Sequence, residues 1–500
     1  MKHDKFTFID LFAGIGGFRL ALEQAGGRCL GFSEIAPDAI SAYCDNHNES
    51  PTSNLGDICC ISDLPSHDFL VGGVPCQSWS IAGKNLGFDD SRGQLWNDAL
   101  FLLKKSQPKA FIFENVKGLA DPRNKEALAY IMDTIKDAGF HAQCHLLNAF
   151  DYGVPQNRIR IYIIGFKEEL HARRFSLPEK RKSSSPVSDA YPFAAASSRK
   201  SGKQSLSAND DGLNDYFLFN DLRNGATTIH SWDITETTDK EKGICLLLLA
   251  NRRKRIYGNL DGNPLSIAHL QSLDPSITIK DIGGLVEKGI LKEEQYRFRI
   301  NRKKLETEAA YNDLLQKHDL NHICIDTLKA DRQLKILKIK AVEMMDELCS
   351  KGIAQCTEVR YDFKNTKIST GLNGINRVFL PTARVYPTLV ASDTNDFITD
   401  ITISGTTAEE YKANFIREVY EKGNFRRITK EEACAIQGFP SDFRLPESRA
   451  RWMKLIGNSV AVELVKQLAK CVVDTGAFDE ADYTRPPKPR ISTATQLSFF

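Results

Sequence analysis

Two kinds of hydrophobic run alternate along the first third of the chain. Phe6-Thr-Phe-Ile-Asp-Leu-Phe12, Cys29-Leu-Gly-Phe-Ser33, Phe69-Leu-Val-Gly-Gly73 and Lys109-Ala-Phe-Ile-Phe-Glu114 are short, nearly continuous apolar runs and read as buried strands. Between them, Phe18-Arg-Leu-Ala-Leu-Glu-Gln-Ala25 repeats apolar residues at helical spacing and stops at Gly26-Gly27, and a second helix is predicted from Leu95 to Lys105. Strands alternating with helices predict an α/β fold with a doubly wound, Rossmann-like sheet. Near its end this region carries Gln156-Asn-Arg158-Ile-Arg160-Ile-Tyr-Ile-Ile-Gly165, where Arg158 and Arg160 share one face of a strand at period two. Towards the C-terminus, Ile428 to Pro440 reads as a helix with Thr429 as N-cap and Glu432 at capping-box spacing, and Val460 to Val473 as a last helix.

The 500 residues exceed what one core usually serves, so two domains are expected. A net charge of +2 excludes a uniformly basic polyanion binder, yet Arg252-Arg253-Lys254-Arg255 and Arg302-Lys303-Lys304 leave room for a local basic surface. The twelve cysteines include no C-x-x-C pair, so no metal site is expected. The Met1-Lys-His-Asp-Lys5 start has no apolar leader and no stretch reaches membrane-spanning length, which predicts a cytoplasmic protein with reduced thiols and no membrane partner.

Candidate chemistry collects at the predicted strand ends, where open α/β sheets bind ligands. Gly72-Gly73 permits a sharp turn and Pro75 stiffens the approach to Cys76, a thiol that is either a nucleophile or a buried structural cysteine. Gly14, Gly16 and Gly17 open a helix N-terminus to a ligand, but their spacing is not the dinucleotide fingerprint. Glu34 could accept from ribose hydroxyls or cap the helix that follows; Asp57 could accept from an adenine amino group or form a turn. Glu114 would sit on the same rim as Cys76 with a raised pKa, able to donate a proton. The glycine-punctuated stretch from Trp79 to Gly93 reads as a lid or an ordinary loop.

Six ordered motifs carry a resemblance: Asp10-Leu-Phe-Ala-Gly-Ile-Gly-Gly17, Pro75-Cys76-Gln77, Glu114-Asn115-Val116, Gln156-Asn-Arg158-Ile-Arg160, Gln437-Gly-Phe-Pro440 and Gly457-Asn-Ser-Val460. The chain closely resembles the cytosine-5 DNA methyltransferases of bacterial restriction-modification systems. The resemblance implies S-adenosylmethionine as cofactor, with Phe12 on the adenine and Gly14, Gly16 and Gly17 at the methionine end. Glu34 would hold the ribose and Asp57 the adenine amino group, with Ile58, Pro75, Leu95, Asn458, Ser459 and Val460 completing the pocket. It also implies Cys76 as the nucleophile for cytosine C6, Glu114 at N3, and Arg158 and Arg160 as catalytic partners, with Arg160 on O2. The family often has tryptophan where this chain has Ile35.

These readings give a catalytic domain over 1–175 completed by 445–478, a smaller-core target-recognition domain over 176–444, and a flexible tail over 479–500. Within the recognition domain, a helix over Gly243–Arg255, a helix over Thr278–Gly289 and an alternating strand Tyr296–Arg302 predict a winged-helix insertion over 238–302. Arg297 and Arg299 are its candidate DNA contacts, with a purely structural insertion as the alternative. Lys329 to Glu347 reads as one basic amphipathic helix. The terminal Gln496-Leu-Ser-Phe-Phe500 resembles the peptide by which bacterial repair proteins dock on the sliding clamp, or packs on the protein's own surface. Double-stranded DNA is the expected partner, of a monomer. The competing functions are a tRNA cytosine-5 methyltransferase and a catalytically silent DNA-binding regulator.

Overall fold

The computed structural model describes residues 4–75, 95–181, 216–219, 227–260, 262–331, 333–334, 340–364 and 374–479. Cys76, the Trp79–Gly93 loop and the Gln496–Phe500 tail lie outside these residues. The chain divides into two compact units, Met1–Tyr216 with Val378–Thr407 and Arg417–Phe500, and Phe217–Arg377 with Ala408–Ile416. The recognition domain expected over 176–444 is therefore too wide. Val378–Thr407 and the chain beyond Arg417 belong to the first unit, because their apolar residues Phe379, Tyr386, Leu389 and Ile428 complete its core.

In the first unit, β1 (Phe6–Leu11), α1 (Gly17–Gln24), β2 (Gly27–Ser33), α2 (Pro37–His47), β3 (Phe69–Gly73), α3 (Leu95–Ser106), β4 (Ala110–Val116), α4 (Lys125–Asp137), β5 (His141–Asn148), β6 (Gln156–Asn157) and β7 (Ile159–Phe166) follow in chain order. Six strands form one sheet in the order β2-β1-β3-β4-β7-β5. The first four are parallel, and β7 runs antiparallel to both β4 and β5. The inner strands β1, β3, β4 and β7 are buried on both faces, as their continuous apolar runs require, and the edge strands β2 and β5 are only partly buried. Phe6, Phe8, Phe69, Val71 and Ile112 feed one core, and Ile9, Leu11, Leu70, Phe111 and Phe113 the other.

In the second unit, α5 (Asp239–Asn251), α6 (Ile267–Leu273), α7 (Ile279–Glu287), β8 (Leu291–Ile300), β9 (His322–Cys324), α8 (Ala341–Ser350) and β10 (Ala354–Phe363) carry the framework. Leu265 bridges Tyr361, and β10 pairs antiparallel with β8. Helix, isolated bridge, helix, helix and then paired strands follow in the order expected of a winged helix. The strand that pairs along β8 is β10, beyond residue 302, so the 238–302 boundary closes too early. Between β8 and β10 the chain adds its own small core, including Leu314, Ile323, Leu328 and Met345. The single helix expected over Lys329–Glu347 is not one helix: Ile325–Ala330 and α8 are separate, and Lys340 before α8 is extended. The Arg252 cluster is not simply a solvated face either, since Arg252 is 1% exposed and paired with Asp362 at 2.8 Å.

The remaining first-unit elements are β11 (Tyr386–Pro387), α9 (Lys430–Gln437), α10 (Arg449–Asn458) and α11 (Val462–Val473). Thr429 and Glu432 cap α9 reciprocally, as their spacing predicts. No helix among the described residues is long and apolar enough to cross a membrane.

Candidate active site

Strand order reverses between β1 and β3, so the connections leave their C-terminal ends in opposite directions and open a crevice there. The turn after β1 is built from left-handed residues: Phe12 has φ 52°, Gly14 56° and Gly16 86°. A side chain at Phe12 makes that conformation costly, so its neighbours must hold it. The Gly14 amide donates to Glu34 Oε2 at 2.8 Å, while Glu34 Oε1 accepts from the Ile35 and Ala36 amides at 2.8 Å each. Glu34 thus holds the two amides that lead into α2 and ties the glycine turn to β2 at once. Asn54 fixes its backbone, accepting from the Glu34 amide at 3.2 Å and donating to the Glu34 carbonyl at 3.0 Å. Asp57 is exposed and caps a short turn by accepting from Cys59 N at 3.1 Å. Ile58 is buried beside it, and Ile35 is 67% exposed next to Glu34.

The back of the glycine turn is closed. A Cβ on Gly16 would lie 2.2 Å from His47 Nε2, and one on Gly17 would lie 2.7 Å from Ser459 Oγ and 2.9 Å from Val460 Cγ2. The front is open, since a Cβ on Gly14 would meet nothing within 4 Å. Burial, reinforced by the Arg19 cation, pushes the His47 imidazole down to about 4, so it packs against the turn uncharged. Asp10, fully buried on β1, is pushed well above the carboxylate range chiefly by its desolvation.

Glu114 lies towards the C-terminal end of β4, and its partner in the neighbouring parallel strand is Gly73. Its carboxylate lies 3.1 Å from Arg160 Nε, with both side chains largely buried. Asn115 donates to the Val74 carbonyl at 3.2 Å and so fixes the chain just before Pro75 and Cys76. Leu95 begins α3. The two arginines diverge. Arg160 faces Glu114, whereas Arg158 is 3% exposed and donates to the carbonyls of Leu389, Gly457 and Ser459. The pair expected from period two is thus not a matched one in its contacts, since the Arg158 guanidinium is directed to three backbone acceptors and that of Arg160 to Glu114. Buried Gln156 donates to Gln437 Oε1 at 2.8 Å, and Gln437 donates to the carbonyls of Ser459 and Val460. These contacts carry the Asn458–Val460 turn onto the glycine turn.

Two residues of this site have no role assigned from sequence, Asn54 and His47. Asn54 had a weak signal in its turn-forming Asn54-Leu-Gly-Asp57 setting; His47 had none, because its role depends on contacts across the chain. In the second unit, Arg297 and Arg299 both project from the exposed face of β8, but Arg297 is paired with Glu358 at 3.0 Å.

The family model for the C-5 cytosine-specific DNA methylase matches residues 6–474. Type II methyltransferase M.HgiBI from Herpetosiphon aurantiacus is 39% identical over 492 residues, covering 95% of this chain and 98% of that protein. Type II methyltransferase M.NlaIV from Neisseria lactamica is 29% identical over 502 residues, covering 94% and 99%. Among solved structures, an Entamoeba histolytica methyltransferase covers 94% of this chain and 98% of its own at 13% identity, with a TM-score of 0.45. With its sheet rim and ordered motifs, the chain belongs to the C-5 cytosine-specific DNA methylases and is a DNA (cytosine-5-)-methyltransferase.

Proposed function

We propose that the chain transfers a methyl group from S-adenosylmethionine to C5 of a cytosine flipped out of duplex DNA, through a covalent bond between Cys76 and C6. The observation that carries this reading is the Glu114–Arg160 pair at 3.1 Å, on the rim where the cysteine strand ends. Cofactor fit is supported by the glycine turn, open at Gly14 and backed by Ser459 and Val460. Phe12, Glu34, Asp57, Ile58, Pro75 and Leu95 would hold the adenosine part, and Gly14, Gly16, Gly17 and Asn458 to Val460 the methionine part. When bound, the cofactor supplies an electrophilic sulfonium methyl group.

The residues then account for the rest. Cytosine C5 is a weak nucleophile; Cys76 thiolate adds to C6, and the ring electrons move towards N3 and C5. Glu114 stabilises or protonates N3 as charge develops there, and Arg160, already oriented by Glu114, holds O2. C5 would then attack the methyl carbon, whose bond to sulfur breaks to leave a neutral thioether. A positioned water acting as base would remove the C5 proton, and elimination, with the N3 proton returned to Glu114, would restore the C5–C6 double bond and release Cys76 as thiolate. Arg158 orients the Ser459 turn and touches no substrate. Flipping follows from the position of C5 and C6 inside a stacked duplex.

Relatives named Type II methyltransferases support protection of host DNA in a restriction-modification system as the biological role. Arg299, and less so the neutralised Arg297, would contact DNA from the second unit. Gln496–Phe500 would tether the enzyme to a sliding clamp; equal clamp recovery with and without these residues would dispose of that part.

Cys76→Ser should abolish methyl transfer while leaving S-adenosylmethionine affinity within about twofold, because an alcohol is not a sufficient nucleophile at C6. Radiolabelled methyl transfer with calorimetric cofactor binding measures both. Normal methylation by the serine variant would sink the mechanism.

A further inference from the structure

Among the described residues, helix α7 is held from one side only. Thr278 and Asp281 cap its start reciprocally, and Asp281 also pairs with Lys240 of α5 at 2.6 Å. Near its other end Lys288 pairs with Glu241 of α5 at 2.7 Å. Ile282 and Leu285 are buried beneath it. These contacts use the inward face and neutralise its first acidic residue.

The outward face is different. At helical spacing it presents Ile279, Lys280, Gly283 and Glu287. Ile279 is 69% exposed. Lys280 is exposed and forms no ion pair among the described residues. Gly283 is the informative position. It lies mid-helix, where glycine is the poorest choice short of proline. Its φ is not positive, and a Cβ there would meet nothing within 4 Å. Neither backbone conformation nor internal packing requires the missing side chain. Something outside the chain that approaches the helix backbone closely would.

The surrounding topology says what that is. α6 and α7 are two short helices joined by the Asp274–Thr278 turn, and β8 and β10 follow as an antiparallel pair. In a helix-turn-helix, the second helix enters the major groove and reads base edges with its N-terminal residues. Those residues here are one apolar side chain and one unneutralised cation, which suit a thymine methyl group and guanine O6 and N7.

We propose that α7 reads the target sequence from the major groove of duplex DNA, with Ile279 and Lys280 on base edges and Gly283 admitting the groove wall to the helix backbone. The assignment rests on the reading of this chain as a duplex-DNA methyltransferase and names the residues that set its sequence preference. Glu287, near the helix C-terminus, would lie at the edge of the contact, where an acceptor suits cytosine N4.

The test uses the full chain, genomic DNA from cells expressing it, and base-resolution mapping of 5-methylcytosine. Gly283→Ala removes a poor helix former, so thermal stability should hold or rise by a few degrees. Its kcat/KM on a duplex carrying the mapped site should nevertheless fall about tenfold or more. Gly243→Ala on α5 is the matched control, because Gly243 is also a helical glycine with nothing within 4 Å; it should be as stable and fully active. Lys280→Ala should relax the methylated sequence at one base pair. Gly283→Ala matching Gly243→Ala in rate and methylation map would overturn the assignment. So would Lys280→Ala weakening all sequences equally with a reduced salt slope, the mark of a phosphate contact. A wild-type chain that methylates no duplex at all would instead remove the underlying enzymatic reading.

Discussion

At the sheet rim, Gly16 has φ 86° and a Cβ on it would lie 2.2 Å from His47 Nε2; at Gly283 on α7, a Cβ would meet nothing within 4 Å. Both glycines stand where a ligand is argued to come close, but the chain itself demands only the first. Around Gly16 every neighbour is committed: Glu34 to the Gly14 amide, Ser459 and Val460 to the face of Gly17, Arg158 and Gln437 to the carbonyls behind them. α7 has such commitments on its inner face alone. A catalytic rim must fix atoms to fractions of an ångström, so its residues brace one another. A reading helix needs its outer residues free to be exchanged as target sequences change, and among the described residues none pairs with Ile279 or Lys280. The difference teaches where sequence substitutions should hurt the fold and where they should hurt only recognition.

The largest break of that comparison is expected at Gly16. Gly16→Ala must place a Cβ in a left-handed residue and against the His47 ring. Left-handed strain and overpacking together should cost about 3–4 kcal/mol, and cofactor binding should be lost with it. Thermal melts and calorimetry would measure the two effects. A Gly16→Ala protein that is as stable as wild type would mean the turn is not braced, and the contrast with Gly283 would collapse.

Arg158 tests the brace from the other side. Arg158→Lys keeps the charge but cannot span the carbonyls of Leu389, Gly457 and Ser459 with one fork. Leaving buried acceptors unmet should cost about 2–3 kcal/mol, read as a shift in urea midpoint. Since the change acts on the Ser459 turn, KM for S-adenosylmethionine should rise more than kcat falls. A pure fall in kcat with unchanged stability would make Arg158 a catalytic residue after all.

How much of this was legible beforehand follows the same divide. Strand and helix order along the first 175 residues could be read because parallel strands buried on both faces are continuous apolar runs, and Thr429–Glu432 because a capping box is local chemistry. The rim residues Glu34, Glu114 and Arg160 were legible from their places at strand ends. Arg158 was not separable from Arg160 by sequence, since period two assigns a face but not a partner; the Leu389 and Ser459 carbonyls come from more than two hundred residues away. The breaks in Lys329–Glu347 were missed because amphipathic spacing continues across Asp331 and Lys340, where the backbone is extended. The 238–302 boundary closes too early because β10, which pairs along β8, returns only after an intervening segment that shares one small core with β8.

The smallest expected effect concerns His47, which packs against the glycine turn without charge. Its imidazole is pushed down to about 4 from an ordinary 6.5, first by burial and then by the Arg19 cation. The unfolded chain therefore takes up a proton at His47 near pH 6.5 that the folded chain refuses until about pH 4. Stability from this group is complete above pH 6.5 and is lost as the pH falls through that window. Between pH 7 and pH 5 the loss should be about 2 kcal/mol. His47→Gln, which cannot take up the proton, should be less stable at pH 7 but should show a flatter dependence between the two pH values. Urea melts of both proteins at pH 7 and pH 5 give the comparison directly. Because the ring lies behind Gly16, cofactor affinity should weaken on acidification in parallel with stability in the wild type, and less so in the variant. Identical slopes for the two proteins would place the proton uptake elsewhere and leave the glycine turn braced by packing alone.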